Sequence, residues 1–229
     1  MKTDSCVILE ADSVIKLFSE EAQFQRELAV YISQPPHVSR LLDYGDAGSG
    51  IPEGYGNYIR CQRIQGKPYL DHPDSFQADL LGTSIARFHQ YSYDGTSALC
   101  HIDNQPKNIL YDGNGYWLVD FSDSRHEVPE YDLTHLFLFW VEEFPTPHLQ
   151  HYVISFLTAY AEIIQPRAQA WRGCMIANVR RFDERRGRFN HLARKLPEAE
   201  VNSSREWLID SLEIHKYFLA KSTDVFSLA

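Results

Sequence analysis

Three polar side chains in the stretch from Leu99 to Ser124, LCHIDNQPKNILYDGNGYWLVDFSDS, have the types and spacing for chemistry on phosphate: Asp103, Asn108 and Asp120. Asp103 follows His101-Ile102, and Asn108 stands five residues later, directly before the apolar Ile109-Leu110-Tyr111. Asp112-Gly113-Asn114-Gly115 reads as a tight turn, because Gly and Asn tolerate positive φ at low cost. The return run Tyr116-Trp117-Leu118-Val119 then delivers Asp120 and Phe121. The order is loop, strand, turn, strand, acid, which predicts that one hairpin brings the three side chains to one edge. Two carboxylates and an amide suit phosphoryl transfer, where positioning and charge neutralisation do most of the catalysis and a hard cation prefers oxygen ligands.

The pattern His101-x-Asp103-x4-Asn108, followed by Asp120-Phe121-Ser122, resembles the catalytic and metal-binding loops of the protein-kinase-like superfamily. It is most similar to the aminoglycoside/choline phosphotransferase branch, which carries His-Gly-Asp-x-x-x-x-Asn-Ile-Leu and then Asp-Phe or Asp-Trp. The resemblance implies an α+β, bilobal protein-kinase-like fold with a small β-rich N-lobe and a mainly helical C-lobe. It implies transfer of the γ-phosphoryl group of ATP to a hydroxyl, with Mg²⁺ as the second cofactor. Asp103 would be the catalytic base, and Asn108 and Asp120 would be the metal ligands. His101 and His89 read as structural, the first tying the catalytic loop to nearby backbone and the second packed at the end of a helix.

The elements that must position these groups lie on both sides of the hairpin. Cys6 to Glu10 and Val14 to Phe18 are short β-branched runs separated by Ala11-Asp12-Ser13, a predicted hairpin with Lys16 in its second strand. Ser19 reads as the cap of a following helix, with Glu20 and Glu21 in its first turn. Phe24, Leu28 and Tyr31 recur there at helical spacing, and Glu27 shares their face. An inward glutamate needs a partner, and Lys16 is the nearest upstream candidate. The resemblance makes Lys16 the phosphate contact and Glu27 its orienter, the two cofactor-binding residues. Strands are predicted over Val38 to Leu42 and Tyr58 to Ile64. Gln65-Gly66-Lys67-Pro68 then falls where related enzymes bind the adenine edge through backbone groups. Gly54-Tyr55-Gly56 precedes no helix and is rejected as a nucleotide loop. No glycine precedes Lys16, so the glycine-rich lid of the kinase pattern is either replaced by the Ala11-Asp12-Ser13 hairpin or absent. A second departure puts Ser122 where the pattern has glycine, which negative φ would accommodate.

Downstream, Asp79 to Tyr91 reads as a helix, and Asp132 as the N-cap of the next one. Further helices are predicted over 134–144, 148–164, 166–194 and 203–221. The short interval from Asp120 to that first helix leaves no room for a long activation segment and favours small-molecule kinases. The domains expected are an N-lobe over 1–64 and a C-lobe over 65–229 containing the catalytic hairpin 99–124.

Composition narrows the setting. The chain has 229 residues, 44% hydrophobic and 23% charged, enough for a sizeable core. A net charge of −9 argues against nucleic acid as a partner. The four cysteines form no CxxC pair and suit a reducing, cytoplasmic location. No apolar run approaches membrane-spanning length. Basic residues concentrate between Arg172 and Lys195, which admits an anionic small-molecule acceptor or a solvated helix face. Two alternatives to a small-molecule kinase fit the same residues: a nucleotide-binding or scaffold pseudokinase, and a small atypical protein kinase.

Overall fold

The computed structural model describes residues 5–46, 48, 54–71, 76–188 and 195–219. In chain order these form β1 (Ser5–Leu9), β2 (Ser13–Phe18), α1 (Glu21–Ser33), β3 (Leu41–Asp46), β4 (Asn57–Gln62) and β5 (Lys67–Pro68). There follow α2 (Ala78–Gln90), β6 (Ala98–Cys100), β7 (Ile109–Tyr111), β8 (Tyr116–Leu118) and β9 (Arg125–Glu127). The remainder is helical: α3 (Pro129–Glu143), α4 (Thr146–Ala161), α5 (Ala168–Arg188), α6 (Glu198–Asp210) and α7 (Leu212–Leu219). The fold is α+β, with antiparallel strands N-terminal and helices C-terminal. Its contacts divide it into two compact units, one of residues 1–74 with 101–125 and the other of 75–100 with 126–229. The hairpin that the sequence groups with the helical lobe thus clusters with the N-terminal strands.

In the first unit, four strands run in the order β1-β2-β4-β3, all antiparallel, with Lys16 opposite Ile59. Period-2 alternation buries Ile59 and Cys61 on one face of β4, and α1 brings Phe24, Leu28 and Tyr31 inward as its spacing predicts. A second small sheet, β5-β7-β8, pairs Ile109 with Leu118 and Tyr111 with Tyr116 across the predicted turn. Asp112 closes that turn by accepting from the N–H groups of Asn114 and Gly115, while Gly113 takes φ +96°.

In the second unit the core is aromatic. Phe137, Trp140, Phe156, Tyr160 and Trp171 are fully buried, contributed by α3, α4 and α5. α2 lies close against α4 because residue 82 is glycine; a Cβ there would stand 2.4 Å from the Phe156 carbonyl oxygen.

Several local expectations need correction. Ser19 does not cap α1: the N-cap position is Glu20, with no side-chain cap bond. Val38 makes only an isolated bridge to Leu118, and β3 starts at Leu41. Asp132 is not an N-cap either, since Pro129, with its preset φ, starts α3 three residues earlier. The predicted helix over 203–221 is two helices, broken at Ser211. Among the basic residues of 172–195, Arg172 of α5 pairs with Asp210 of α6, Arg180 with Glu184 within α5, and Lys195 with Glu143 at the end of α3. Arg194 and the side chains of Arg186 and Arg188 lie outside the described residues. Among those residues, no helix is long and apolar enough to cross a membrane.

Candidate active site

The hairpin register fixes the site. Ile109 opposes Leu118, so Asn108 stands beside Val119, whose N–H donates to the Asn108 carbonyl at 3.0 Å. Asp120 is therefore the next residue along the same edge. The buried His101 ring lies 2.8 Å through Nε2 from the Val119 carbonyl oxygen and packs on Phe121, which ties the loop before Asp103 to the strand before Asp120. Asn108 Nδ2 donates to the Asp103 carbonyl at 2.8 Å and leans toward Asp103 Oδ2 at 3.3 Å. Gln105 Nε2 donates to the same Oδ2 at 2.7 Å. Gln105 and Asn108 thus both hold Asp103 Oδ2.

Lys16 reaches this edge from β2. Its ammonium donates to Glu27 Oε2 at 2.6 Å and to Asp120 Oδ1 at 2.5 Å. Asp120 Oδ1 also accepts from Ser122 Oγ at 2.9 Å, and Arg26 Nε donates to the Ser122 carbonyl at 2.8 Å. Asp120 adopts φ +68°, the left-handed region, so its side chain turns back toward Lys16. Ser122 keeps negative φ, so the serine in place of the pattern's glycine carries no backbone strain.

The electrostatics follow from burial and this bridge. Desolvation would lower the pKa of Lys16, but the charges of Glu27 and Asp120 outweigh it and the net shift is upward. Burial pushes Glu27 up from 4.5 to about 7, against the attraction of Lys16 and with the added repulsion of Asp120. Asp120 is also partly desolvated, yet the adjacent ammonium and the Ser122 hydroxyl hold its carboxyl below the usual value.

Lys16, Glu27, Asn108 and Asp120 line one cavity of about 360 Å³, whose lining residues all belong to the first compact unit. Asp103 does not line it, but it joins the wall through Asn108. Val7, which faces Lys16 across the β1–β2 pair, lines the cavity as well, as do Leu9 and Val14 one pair further along and Ile64 and Gly66 from the segment after β4. Val7 and Leu9 are 54% and 63% exposed and present apolar surface to the cavity. The turn between β1 and β2 is fastened to the segment after β4. Arg63 N–H donates to the Asp12 carbonyl, Arg63 Nη1 to that of Glu10, and Gln65 to that of Ala11. Glu10 further binds Ser13 and Arg60. The Ala11-Asp12-Ser13 turn is therefore held by Arg63, which itself lines the cavity, and by Gln65.

Residues 89–171 match a family model described as a phosphotransferase enzyme family. The structure resembles an aminoglycoside phosphotransferase of Streptomyces rimosus at 13% identity and TM-score 0.56, covering 75% of this chain and 90% of that one. A choline/ethanolamine kinase family protein of Mesorhizobium loti superimposes at 13% identity and TM-score 0.53, covering 95% and 89%. This chain has the protein-kinase-like fold of the aminoglycoside/choline phosphotransferase branch. An amicoumacin kinase solved with AMP-PNP, Ca²⁺ and Ami shares that fold at 13% identity and TM-score 0.55, with 91% and 89% covered. Among curated proteins, none matches the sequence.

Set against the phosphotransferase pattern, one residue stands out. Ile102 occupies the glycine position of His-Gly-Asp and lies at φ +70°, fully buried. A β-branched residue is rarely found in this region, which explains why the pattern carries glycine there. Sequence reasoning missed Ser122 and Gln105 as supports of the two carboxylates, and Arg26 as the anchor of Ser122. The short spacings Asp120-x-Ser122 and Asp103-x-Gln105 were a visible signal for the first two. Arg26 had none, because its partner is 96 residues away.

Proposed function

We propose that the chain is a kinase that transfers the γ-phosphoryl group of ATP, with Mg²⁺, to a hydroxyl of a small molecule. The observation that carries this reading is the Lys16 ammonium held between Glu27 and Asp120 in a cavity also lined by Asn108.

The donor set suits a hard divalent ion. Asn108 commits its amide N–H to the Asp103 backbone, which leaves Oδ1 for a ligand, and Asp120 uses only Oδ1 for Lys16 and Ser122. Asn108 and Asp120 would hold Mg²⁺, which when bound neutralises phosphate charge. Glu27 holds Lys16 in place, and Lys16 binds phosphate oxygens. Asp103, oriented by Gln105 and Asn108, accepts the proton of the acceptor hydroxyl. The base sits against Val7, Leu9 and Val14, with backbone groups near Ile64 at its edge. The family match and the shared fold support phosphoryl transfer as the reaction class.

The test is thermal unfolding of the wild type and Asp120→Asn, each with ATP, with Mg²⁺ and with both. Ligand at about 100 times its Kd adds about 2.7 kcal/mol, roughly 5–10 °C for a chain of this size. The expected result is a rise that requires Mg²⁺ and shrinks in Asp120→Asn. No rise at millimolar ATP overturns the proposal. A rise without turnover of any acceptor makes the chain a nucleotide-binding scaffold.

A further inference from the structure

The backbone that carries Asp120 has to be held in place. Asp120 lies at φ +68°, and a residue with a side chain keeps such a conformation only where its surroundings over-determine it. Helix α1 reaches this segment with three side chains. The Tyr31 ring meets the Phe121 ring edge to face, with centroids 5.7 Å apart. Glu27 accepts from the Phe121 backbone N–H and from Lys16, which in turn donates to Asp120 Oδ1. Arg26 donates through Nε to the Ser122 carbonyl at 2.8 Å, and Ser122 Oγ donates to Asp120 Oδ1 at 2.9 Å. These contacts close a ring. From the chain neighbours Arg26 and Glu27, one path runs through Lys16 and the other through Ser122 to the same carboxylate oxygen.

Glu27 and Tyr31 are buried, whereas Arg26 is exposed and makes no other hydrogen bond or ion pair among the described residues. Ordering a long exposed side chain costs rotamer entropy, so a single bond to a backbone carbonyl adds little to global stability. Its effect is local, on where the Ser122 backbone lies and hence on the Asp120 carboxylate. We infer, resting on the kinase reading above, that Arg26 is a positioning residue for the divalent ion. By fixing the Ser122 carbonyl it keeps Asp120 engaged through Oδ1, with Oδ2 left for the metal. Arg26 touches neither the ion nor the nucleotide. Its own charge acts in the opposite sense, because a guanidinium near the site repels a cation. Positioning and charge therefore predict opposite changes in metal binding when Arg26 is neutralised.

The experiment is calorimetric titration of the full chain with AMP-PNP, in excess EDTA and in excess Mg²⁺, for the wild type, Arg26→Gln and Arg26→Lys. The quantity read is the factor by which Mg²⁺ tightens AMP-PNP binding. The expected result is a fall of about fivefold in that factor for Arg26→Gln, the scale of one hydrogen bond. Affinity in EDTA should stay near wild type, and Arg26→Lys, which keeps both a donor and the charge, should recover most of the loss. A factor that rises in Arg26→Gln means that Arg26 acts through its charge alone, which overturns the inference. Equal losses in EDTA and in Mg²⁺ leave the factor unchanged, mark a general disturbance of α1 and overturn it as well. Unchanged affinities in both conditions do the same, while the kinase reading stands. A wild type that binds AMP-PNP no better with Mg²⁺, or not at all, overturns the inference together with that reading.

Discussion

Asp120 and Asp132 form a natural pair for comparison, each a carboxylate joined to a nitrogen partner, one in each compact unit. Asp120 meets the Lys16 ammonium at 2.5 Å, keeps 37% of its side chain exposed and lines the cavity. Asp132 accepts from His89 Nε2 at 3.1 Å with only 2% of its side chain exposed. The other His89 nitrogen meets the Tyr160 hydroxyl at 2.8 Å, and the nearby Cys100 thiol points at the Glu127 and Val128 carbonyls. His89, Cys100 and Asp132 bring three potential metal-ligating atoms within 4.8 Å of one another, yet these atoms are taken up by neighbouring protein groups. Similar residue types therefore do different work. What separates the two sites is whether an oxygen is left over and whether a cavity reaches it.

The sharpest way to break this comparison is to cross the two sites. Asp103→Asn should lower turnover by about 10²–10⁴, the usual contribution of a general base, and leave the urea midpoint near wild type. Asp132→Asn should do the reverse, costing about 2–3 kcal/mol of stability by disturbing a buried hydrogen-bonded pair while the rate per folded molecule stays close to normal. Turnover and urea unfolding measured on both variants decide it. If both variants lose rate and stability in parallel, the division into a working site and a packed polar core is wrong.

A smaller effect separates the groups inside the working site. Glu27 has its folded pKa raised to about 7, so the fold favours its protonated form. Its contribution to stability is full below about pH 4.5 and is lost as pH rises through 7. Asp120 is shifted the other way, so its contribution is present above its ordinary value of 3.8 and fades only as pH falls below that. The two windows do not overlap. Unfolding free energies of the wild type and Glu27→Gln should therefore diverge between pH 5 and 8, the wild type losing ground as pH rises. A constant difference across that range would mean that Glu27 is fully ionised beside Lys16 throughout.

How much of this was readable beforehand depends on chain separation. The central hairpin was legible because its turn chemistry, strand pattern and polar ends are local and agree. The Lys16–Glu27 pair, 11 residues apart, was legible because a glutamate on an apolar helix face demands a cation. The contact of Lys16 with Asp120 spans 104 residues, and no periodicity reports on such a distance. The caps failed for a different reason. Ser19 and Asp132 have the right residue types, but the helix starts were set by Glu20 and by Pro129. The fastening of the first turn by Arg63 and Gln65 was invisible because those donors come from a segment more than 50 residues away.

The smallest effect concerns a departure in plain view. Ile102 holds φ +70° next to the proposed base, and it is fully buried. Packing of its side chain must offset a backbone conformation that costs a non-glycine residue on the order of 1–2 kcal/mol. Replacing it by glycine alone would mix strain relief with loss of packing, so the informative contrast is Ile102→Gly against Ile102→Ala. Both remove the bulk of the buried side chain. At an ordinary interior position glycine would be the less stable of the two, through the greater freedom of its unfolded chain. Here the order should invert, with Ile102→Gly about 1 kcal/mol the more stable by urea unfolding. If alanine proves the better replacement, the left-handed turn before Asp103 carries no strain, and the glycine of the family pattern needs a different explanation, such as close approach of substrate to the backbone.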